Sequence, residues 1–288
     1  MEDELYPMQH DDLTHKSRDR VGKTQRRYKI AAQGHLFSRP LIYGLEESAE
    51  VELDTGPHPS MADLLLCCEI DAALLPVVDL QGNAGGFTVV PAGCVACQGR
   101  SLTARIFSRV RPESMTALWV DDEAHTSSVL AQVLWTHVHN TRLDMLGLDP
   151  LLREQPEEAE AVLIVGDKVV VDPPLGFDWQ IDLGAMWQET TGLPFVFAVW
   201  AAADPDDAPA LHRILTAARL AGTRNLRRIA HDFSASKDWP MDLAEQCLAS
   251  HTQYEFGEGQ REGMEEFFFL AAECGAIDEY QPVRYYRP

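Results

Sequence analysis

The residues best suited to chemistry lie in three short stretches, each just past an apolar, strand-like run. His35-Leu36-Phe37-Ser38-Arg39-Pro40 follows Tyr28-Lys29-Ile30-Ala31-Ala32. The stretch Cys97 to Thr103, with Arg100 inside it and Arg105 just beyond, follows Phe87 to Cys97. His125-Thr126-Ser127 follows Met115 to Val120 through the loop Asp121-Asp122-Glu123-Ala124. In α/β sheets, ligands bind beyond the carboxyl ends of the strands. A hydroxyl residue at a helix start, beside free backbone N–H groups and a partial positive charge, suits a carboxylate. Ser38, Thr126 and Ser127 stand in such places, and the same residue types also serve as plain helix caps. Arg39, Arg100 and Arg105 add fixed positive charge. On an acidic chain, that combination points to a small anionic ligand, most simply one with carboxylates.

Other constellations carry less. Six cysteines are present, and Cys94 and Cys97 form a single CxxC. A zinc site needs a second pair, and the adjacent Cys67 and Cys68 have the wrong spacing. A redox CxxC opens a helix, whereas this one lies in an apolar, strand-like run. His137 and His139 are two apart, so a helix points them to different sides. No Gly-rich phosphate loop, G-x-S-x-G elbow or kinase motif set appears. No metal is expected.

The elements that must position these residues follow from composition and pattern. With 288 residues, 45% of them hydrophobic, the chain can form one large domain or two lobes. Its formal net charge of −21 repels nucleic acid and anionic membranes, so neither is expected as a partner. No apolar run approaches the roughly 20 residues of a membrane span. The start, Met1-Glu2-Asp3-Glu4-Leu5, lacks the apolar segment of a secretory signal, so a cytoplasmic protein is expected. Residues 1–27 have no apolar period and read as a disordered polar tail. Oligomeric state leaves no signal in the sequence.

Gly192 to Trp200 carries no charged or polar side chain apart from the indole, and reads as a strand buried on both faces. Before it, strands are expected at 28–32, 70–75, 87–97, 102–110, 115–120 and 161–165. Helices are expected at 40–45, from a Ser60 cap to about 68, from a Thr126 or Ser127 cap onward, and at 183–190. After it, helices are expected at 209–221, 243–251 and 260–274. The resulting order is βα units, a second compact βα unit, a buried return strand, then helices.

Several runs resemble the chorismate dehydratase family of the futalosine route to menaquinone. They are Leu193-Pro194-Phe195-Val196-Phe197-Ala198-Val199-Trp200, preceded by Asp182-Leu183-Gly184, Trp187 and Thr191-Gly192. Upstream stand Pro59-Ser60 with Asp63-Leu64-Leu65, then Glu69-Ile70-Asp71-Ala72-Ala73-Leu74-Leu75-Pro76. Ile106-Phe107-Ser108, Thr126-Ser127, Gly166-Asp167, Gly263-Met264 and Phe267 complete the pattern, which spans residues 28 to 275. The resemblance implies the type II periplasmic-binding-protein fold: two α/β lobes around a ligand cleft, joined by crossover strands. It places lobe 1 at 28–108 plus 200–288 and lobe 2 at 109–199. It further implies a hydro-lyase that converts chorismate to 3-(1-carboxyvinyloxy)benzoate with neither metal nor organic cofactor. Substrate and product are both dicarboxylates, in keeping with the anion reading.

Carried over position by position, the resemblance assigns ligand contacts to Ser38, Arg39, Cys97, Thr103, His125, Thr126, Ser127, Asp167 and Phe195. Ser38 keeps a hydroxyl of the family's first loop, but Phe37 stands where that loop has Asn. Phe cannot replace its hydrogen bonds. His35 brings a group that moves protons near neutral pH, so His35 and Ser38 are the candidate catalytic residues. The proton acceptor is either a side chain or the substrate's own enolpyruvyl carboxylate. Cys97 stands for a family Ser, Val77 for another, and Ala124-His125 for a Ser-Arg pair. Two rival readings follow: a non-catalytic carboxylate-binding module, and the sister enzyme that makes 1,4-dihydroxy-6-naphthoate. The match at 193–200 argues against the sister enzyme.

Overall fold

The computed structural model describes residues 26–56, 60–82, 85–148 and 159–288. Apart from Arg26 and Arg27, the expected tail lies outside the described residues. Six strands form one sheet: β1 (Tyr28–Ala31), β2 (Val51–Asp54), β3 (Ala72–Pro76), β4 (Thr88–Cys97), β10 (Phe195–Ala202) and β11 (Arg284–Tyr285). Its order is β11-β4-β10-β3-β1-β2. Five strands form a second sheet: β5 (Ala104–Ser108), β6 (Ala117–Val120), β7 (Asp144–Gly147), β8 (Ala161–Val165) and β9 (Trp179–Asp182). Its order is β7-β6-β8-β5-β9. Each sheet, with the helices packed on it, makes one lobe.

The uncharged run from Gly192 onward becomes the centre of the first sheet. β10 pairs antiparallel with β3 on one side and β4 on the other, while β1 pairs parallel with β2 and β3. Such a central strand has both faces covered, which explains a run with no charged residue. Val199, Trp200, Ala201 and Ala202 are fully buried. On one face, the α5 (Ala208–Thr223) and α6 (Leu226–Lys237) residues Leu211, Leu215 and Phe233 share a core with Trp200. On the other, Phe267 and Phe268 of α8 (Glu258–Glu273) pack with Val199. No helix among the described residues is long and apolar enough to cross a membrane.

The remaining helices are α1 (Met61–Leu66), α2 (His125–His139), α3 (Lys168–Val171), α4 (Leu183–Thr191) and α7 (Met241–Gln246). Ser60 caps α1 as its spacing predicts, with Oγ accepting from the Asp63 N–H at 3.1 Å. The helix expected at 40–45 is instead a 3-10 turn over Leu36–Leu41, with Pro40 inside it. β2, β7, β9, β11, α3 and α6 carry no expectation from the sequence.

The chain leaves the first sheet between β4 and β5 and returns between α4 and β10. These two crossings lie side by side, since Phe195 pairs with Cys97. Both lobe boundaries therefore differ from the expected ones. β5, expected in lobe 1, pairs with β8 and β9 in the second sheet. Residues 195–199, expected in lobe 2, belong to β10 of the first sheet. The hydrogen-bond ladder decides membership, and an apolar strand looks alike in either sheet.

One carboxylate holds the crossings together. Asp182 Oδ1 accepts from the Ser101 N–H (2.9 Å), the Ser101 hydroxyl (3.2 Å) and the Ala185 N–H (3.1 Å). Oδ2 accepts from the Leu102 N–H at 3.0 Å. Asp182 thus caps α4 and pins the outgoing crossing at once. Gly184 permits this closeness, because a Cβ there would sit 2.6 Å from the Gly99 carbonyl oxygen.

Replacing Asp182 by Ala strands three backbone N–H groups, and each such loss costs about 1–3 kcal/mol at most. Asp182→Ala is therefore expected to lower stability by about 2–4 kcal/mol, read as a lower urea midpoint at unchanged m-value. Asp182→Asn, which keeps one carbonyl acceptor, should lose less.

Candidate ligand cleft between the lobes

The first-lobe wall is the 3-10 turn after β1. Its Ser38 is fully buried, with Oγ 2.5 Å from the Gln33 carbonyl oxygen and 2.8 Å from that of His35. The hydroxyl therefore ties the turn to itself. Arg39 leaves the turn on the far side. Its guanidinium donates to the Gly34 carbonyl (3.2 Å), lies over the Phe233 ring (5.5 Å), and lines an outer groove of about 370 Å³ with Glu46, Glu47 and Asp232. His35 and Phe37 face inward, with ring centroids 5.1 Å apart.

The second-lobe wall comes from the ends of β8 and β6. Asp167, just after β8, reaches the first lobe. Its Oδ2 lies 3.2 Å from His35 Nδ1, and its Oδ1 accepts from the Leu36 N–H and the Trp239 indole N–H, both at 3.1 Å. After β6, Ala124 is the residue that precedes α2, and no side chain caps the helix. Thr126 and Ser127 therefore fall inside the first turn rather than serving as caps. Thr126 Oγ1 donates to the Phe197 carbonyl (3.2 Å) and accepts from the Val78 N–H (3.4 Å), which ties α2 to the first sheet. Ser127 is buried, and among the described residues its hydroxyl makes no hydrogen bond.

Between these walls lies a cavity of about 60 Å³. His35, Phe37, Thr103, Thr126 and Ser127 line it, along with Gln33, Glu123, Gly166 and Phe197. Glu123 is not a free charge there. Lys168 bridges Glu123 (2.8 Å) and the buried Asp121 (2.9 Å). Burial pushes the Lys168 ammonium down, but its bonds to Glu123 and Asp121 outweigh that and leave it raised. Larger depressions of about 600 and 650 Å³ meet at His125, Val129 and Ala276, behind α2. They are open grooves on the outer surface. The small cavity is the candidate site because the loops that follow β1, β6 and β8, at strand carboxyl ends, converge on it.

The structure thus brings His35, Thr103, Thr126 and Ser127 to one cavity, with Asp167 behind His35. It does not bring five other expected residues there. Ser38 and Arg39 are turned away, as described. Cys97 is buried against Gly184, and burial pushes its thiol up, so it offers the cavity no reactive group. His125 points outward and pairs with Asp79 at 3.1 Å. Phe195 is 1% exposed in a ring cluster with Trp187, Phe197 and Phe267. Phe197, next to a register shift in β10, lines the cavity instead. Asp167 turns both oxygens to protein donors and does not line the cavity.

Arg100 and Arg105 do not line the cavity either, and Arg105 donates to Gln180 at 3.0 Å. No group of three His, Cys, Asp or Glu side chains among the described residues is placed to hold a metal ion. Sequence reasoning missed Gln33, Glu123 and Trp239. Gln33 had a usable signal, since it directly follows a strand end. Trp239 had none, because it lies 72 residues from the Asp167 it binds.

A protein family described as menaquinone biosynthesis matches residues 28–273. Among solved structures, protein AF1704 from Archaeoglobus fulgidus is similar at a TM-score of 0.71 and 13% identity, covering 88% of this chain and 100% of its own. The periplasmic aliphatic sulphonate binding protein SsuA from Escherichia coli matches at 0.63 and 12%, covering 88% and 94%. The Candida albicans CA3427 product, described as having the generic periplasmic binding protein fold, matches at 0.58 and 12%, covering 89% and 92%. At such identities these structures show the fold: two α/β lobes around a ligand cleft.

The His125–Asp79 pair links α2 to the 3-10 turn after β3, and it makes a pH prediction. The hydrogen bond that His125 donates to Asp79 raises the His125 pKa against the opposing effect of burial. A raised folded value stabilises the protonated form. The contribution is therefore full below the unfolded value of about 6.5 and is lost as pH rises through the folded value. The melting-temperature gap between wild type and His125→Gln should be widest near pH 5.5 and narrow towards pH 9. A gap that widens with pH would refute the assignment.

Proposed function

This chain belongs to the menaquinone biosynthesis family, and from that premise we propose that it is a hydro-lyase that converts chorismate to 3-(1-carboxyvinyloxy)benzoate. The observation that carries the reading is the placement of His35, Thr103 and Ser127 on one cavity between the lobes. In the reaction, a ring C–H bond and the adjacent ring C–O bond break. The C–H electrons form the new ring double bond, and the proton and hydroxide leave as water. Because the ring becomes aromatic, the protein needs only to orient the substrate, accept the proton and support the leaving hydroxide.

The cavity residues divide these tasks. The N-terminal turn of α2, with the uncommitted Ser127 hydroxyl, receives one carboxylate by backbone N–H groups and the helix dipole. His35 is the imidazole in the cavity wall and takes the ring proton. Thr103 supplies a hydroxyl on the crossing side. A cavity of about 60 Å³ has room for a few waters, whereas ligand pockets run to roughly 300–1,000 Å³. Chorismate therefore enters through a transient opening of the closed resting form, and the lobes close around it again. The acidic surface disfavours a nucleic-acid partner, and the proposal is of a cytoplasmic enzyme acting on a small dicarboxylate.

One observation favours a second reading, a carboxylate-binding module without catalysis. Phe37 lines the cavity, and among the described residues no arginine does. Incubation of the purified protein with chorismate, followed by chromatography for the aromatic product, separates the two. Turnover is expected. Thermal stabilisation by chorismate without product would favour the binding module, and turnover only of cyclic futalosine-derived substrate would favour the sister enzyme. His35→Ala should lower kcat by about 10²-fold or more while chorismate still raises the melting temperature. Ser127→Ala should raise KM by about 10-fold, the loss of roughly one hydrogen bond to a charged group, with no change in stability without ligand.

A further inference from the structure

We propose that Asp167 is a positioning residue that sets the tautomer of His35 from the opposite lobe, so that the proton acceptor is complete only when the lobes are closed. The proposal rests on the reading of His35 as proton acceptor and adds where its competence comes from. His35 follows β1 in the first lobe, and Asp167 follows β8 in the second, 132 residues away. A carboxylate can only accept hydrogen bonds. The 3.2 Å contact therefore places the imidazole proton on Nδ1. The neutral ring then carries its lone pair on Nε2, the nitrogen left to the cavity that His35 lines.

The rest of the Asp167 environment fits this role. Its other oxygen accepts from the Leu36 N–H and the Trp239 indole N–H, both in the first lobe. All three donors thus come from the lobe opposite to the carboxylate. The second lobe inserts one charged side chain into a socket built by the first. Gly166 completes the seat. A Cβ at that position would lie 2.6 Å from His35 Cε1 and 2.9 Å from Nδ1, so the ring rests on the glycine backbone. Separating the lobes takes away both the tautomer-setting acceptor and the surface that fixes the ring plane.

During turnover, Nε2 takes the proton from the ring carbon, and the electrons of that C–H bond form the new double bond. The imidazolium faces the Asp167 carboxylate, which stays ionised and stabilises it. Nε2 then gives the proton to the departing hydroxide, and water leaves. An open cleft holds no such base, which confines proton abstraction to the closed, water-poor state.

The test uses the full chain labelled with 15N-histidine. Long-range 1H–15N spectra of the ligand-free protein should show His35 as the Nδ1–H tautomer. Asp167→Asn, whose amide can donate to Nδ1, should shift His35 to the Nε2–H tautomer. In the chorismate assay it should lower kcat on the order of 10²–10⁴-fold with KM within a few-fold, and Asp167→Glu should recover part of the loss. Trp239→Phe removes a donor to Asp167 without touching His35. It should lower the melting temperature yet keep the Nδ1–H tautomer. An unchanged tautomer in Asp167→Asn, or an Nε2–H tautomer in wild type, would overturn the proposal. If wild type turns over no chorismate, the lyase reading falls, and the tautomer result still decides the role of Asp167.

Discussion

The geometry of the cleft depends on the Asp182 carboxylate. It binds the outgoing crossing at Ser101 and Leu102 and starts α4, which leads to the returning crossing. Because Phe195 then pairs with Cys97, the two connections form one narrow joint between the sheets. The loops opposite that joint can move only about it, so it sets which of them meet when the lobes are together. His35 can reach Asp167, and Thr126 can reach Phe197, only while the joint keeps the sheets in register. A few hydrogen bonds at the joint thereby govern contacts across the whole cleft.

Charge is handled differently at the surface and in the cleft. The chain carries 45 acidic and 24 basic residues. In the cleft, though, the acids are matched: Asp121 and Glu123 by Lys168, and Asp167 by three donors. Matching matters because an unpaired carboxylate there would repel an anionic ligand and would cost several kcal/mol to bury. One ammonium does not cancel two carboxylates, so helix-end N–H groups and hydroxyls receive an anionic ligand against a residual negative charge. Affinity from such groups depends on exclusion of water, which ties binding to closure.

Expectations at the level of strands and helices fared better than those for individual side chains. The uncharged run at 192–200, the Ser60 cap and the helix at 183–190 each rest on local pattern; the cap and helix formed where expected, and the strand formed over Phe195–Ala202. Ser38, Arg39, Cys97, His125 and Phe195 were singled out by residue type and by place in a resembling motif. A loop residue's backbone position does not state which way its side chain points. One 3-10 turn sends Phe37 into the cleft, Ser38 into its own backbone and Arg39 to the outer face. Phe197, at the register irregularity of β10, lines the cavity, whereas Phe195 lies among the buried rings behind it.

From its sequence alone, this protein is legible as a two-lobed α/β chain with a buried return strand, an acidic surface and hydroxyl-bearing loops at strand ends. Those features follow from periodicity, burial and cap chemistry, which act over a few residues. The pairing of Asp167 with His35 and Trp239, the Asp182 clamp and the Lys168 bridge between Glu123 and Asp121 were decided by tertiary structure alone. Each joins groups tens of residues or more apart, through contacts of about 3 Å. Contacts that short depend on how two sheets settle against each other, and no local pattern records that angle.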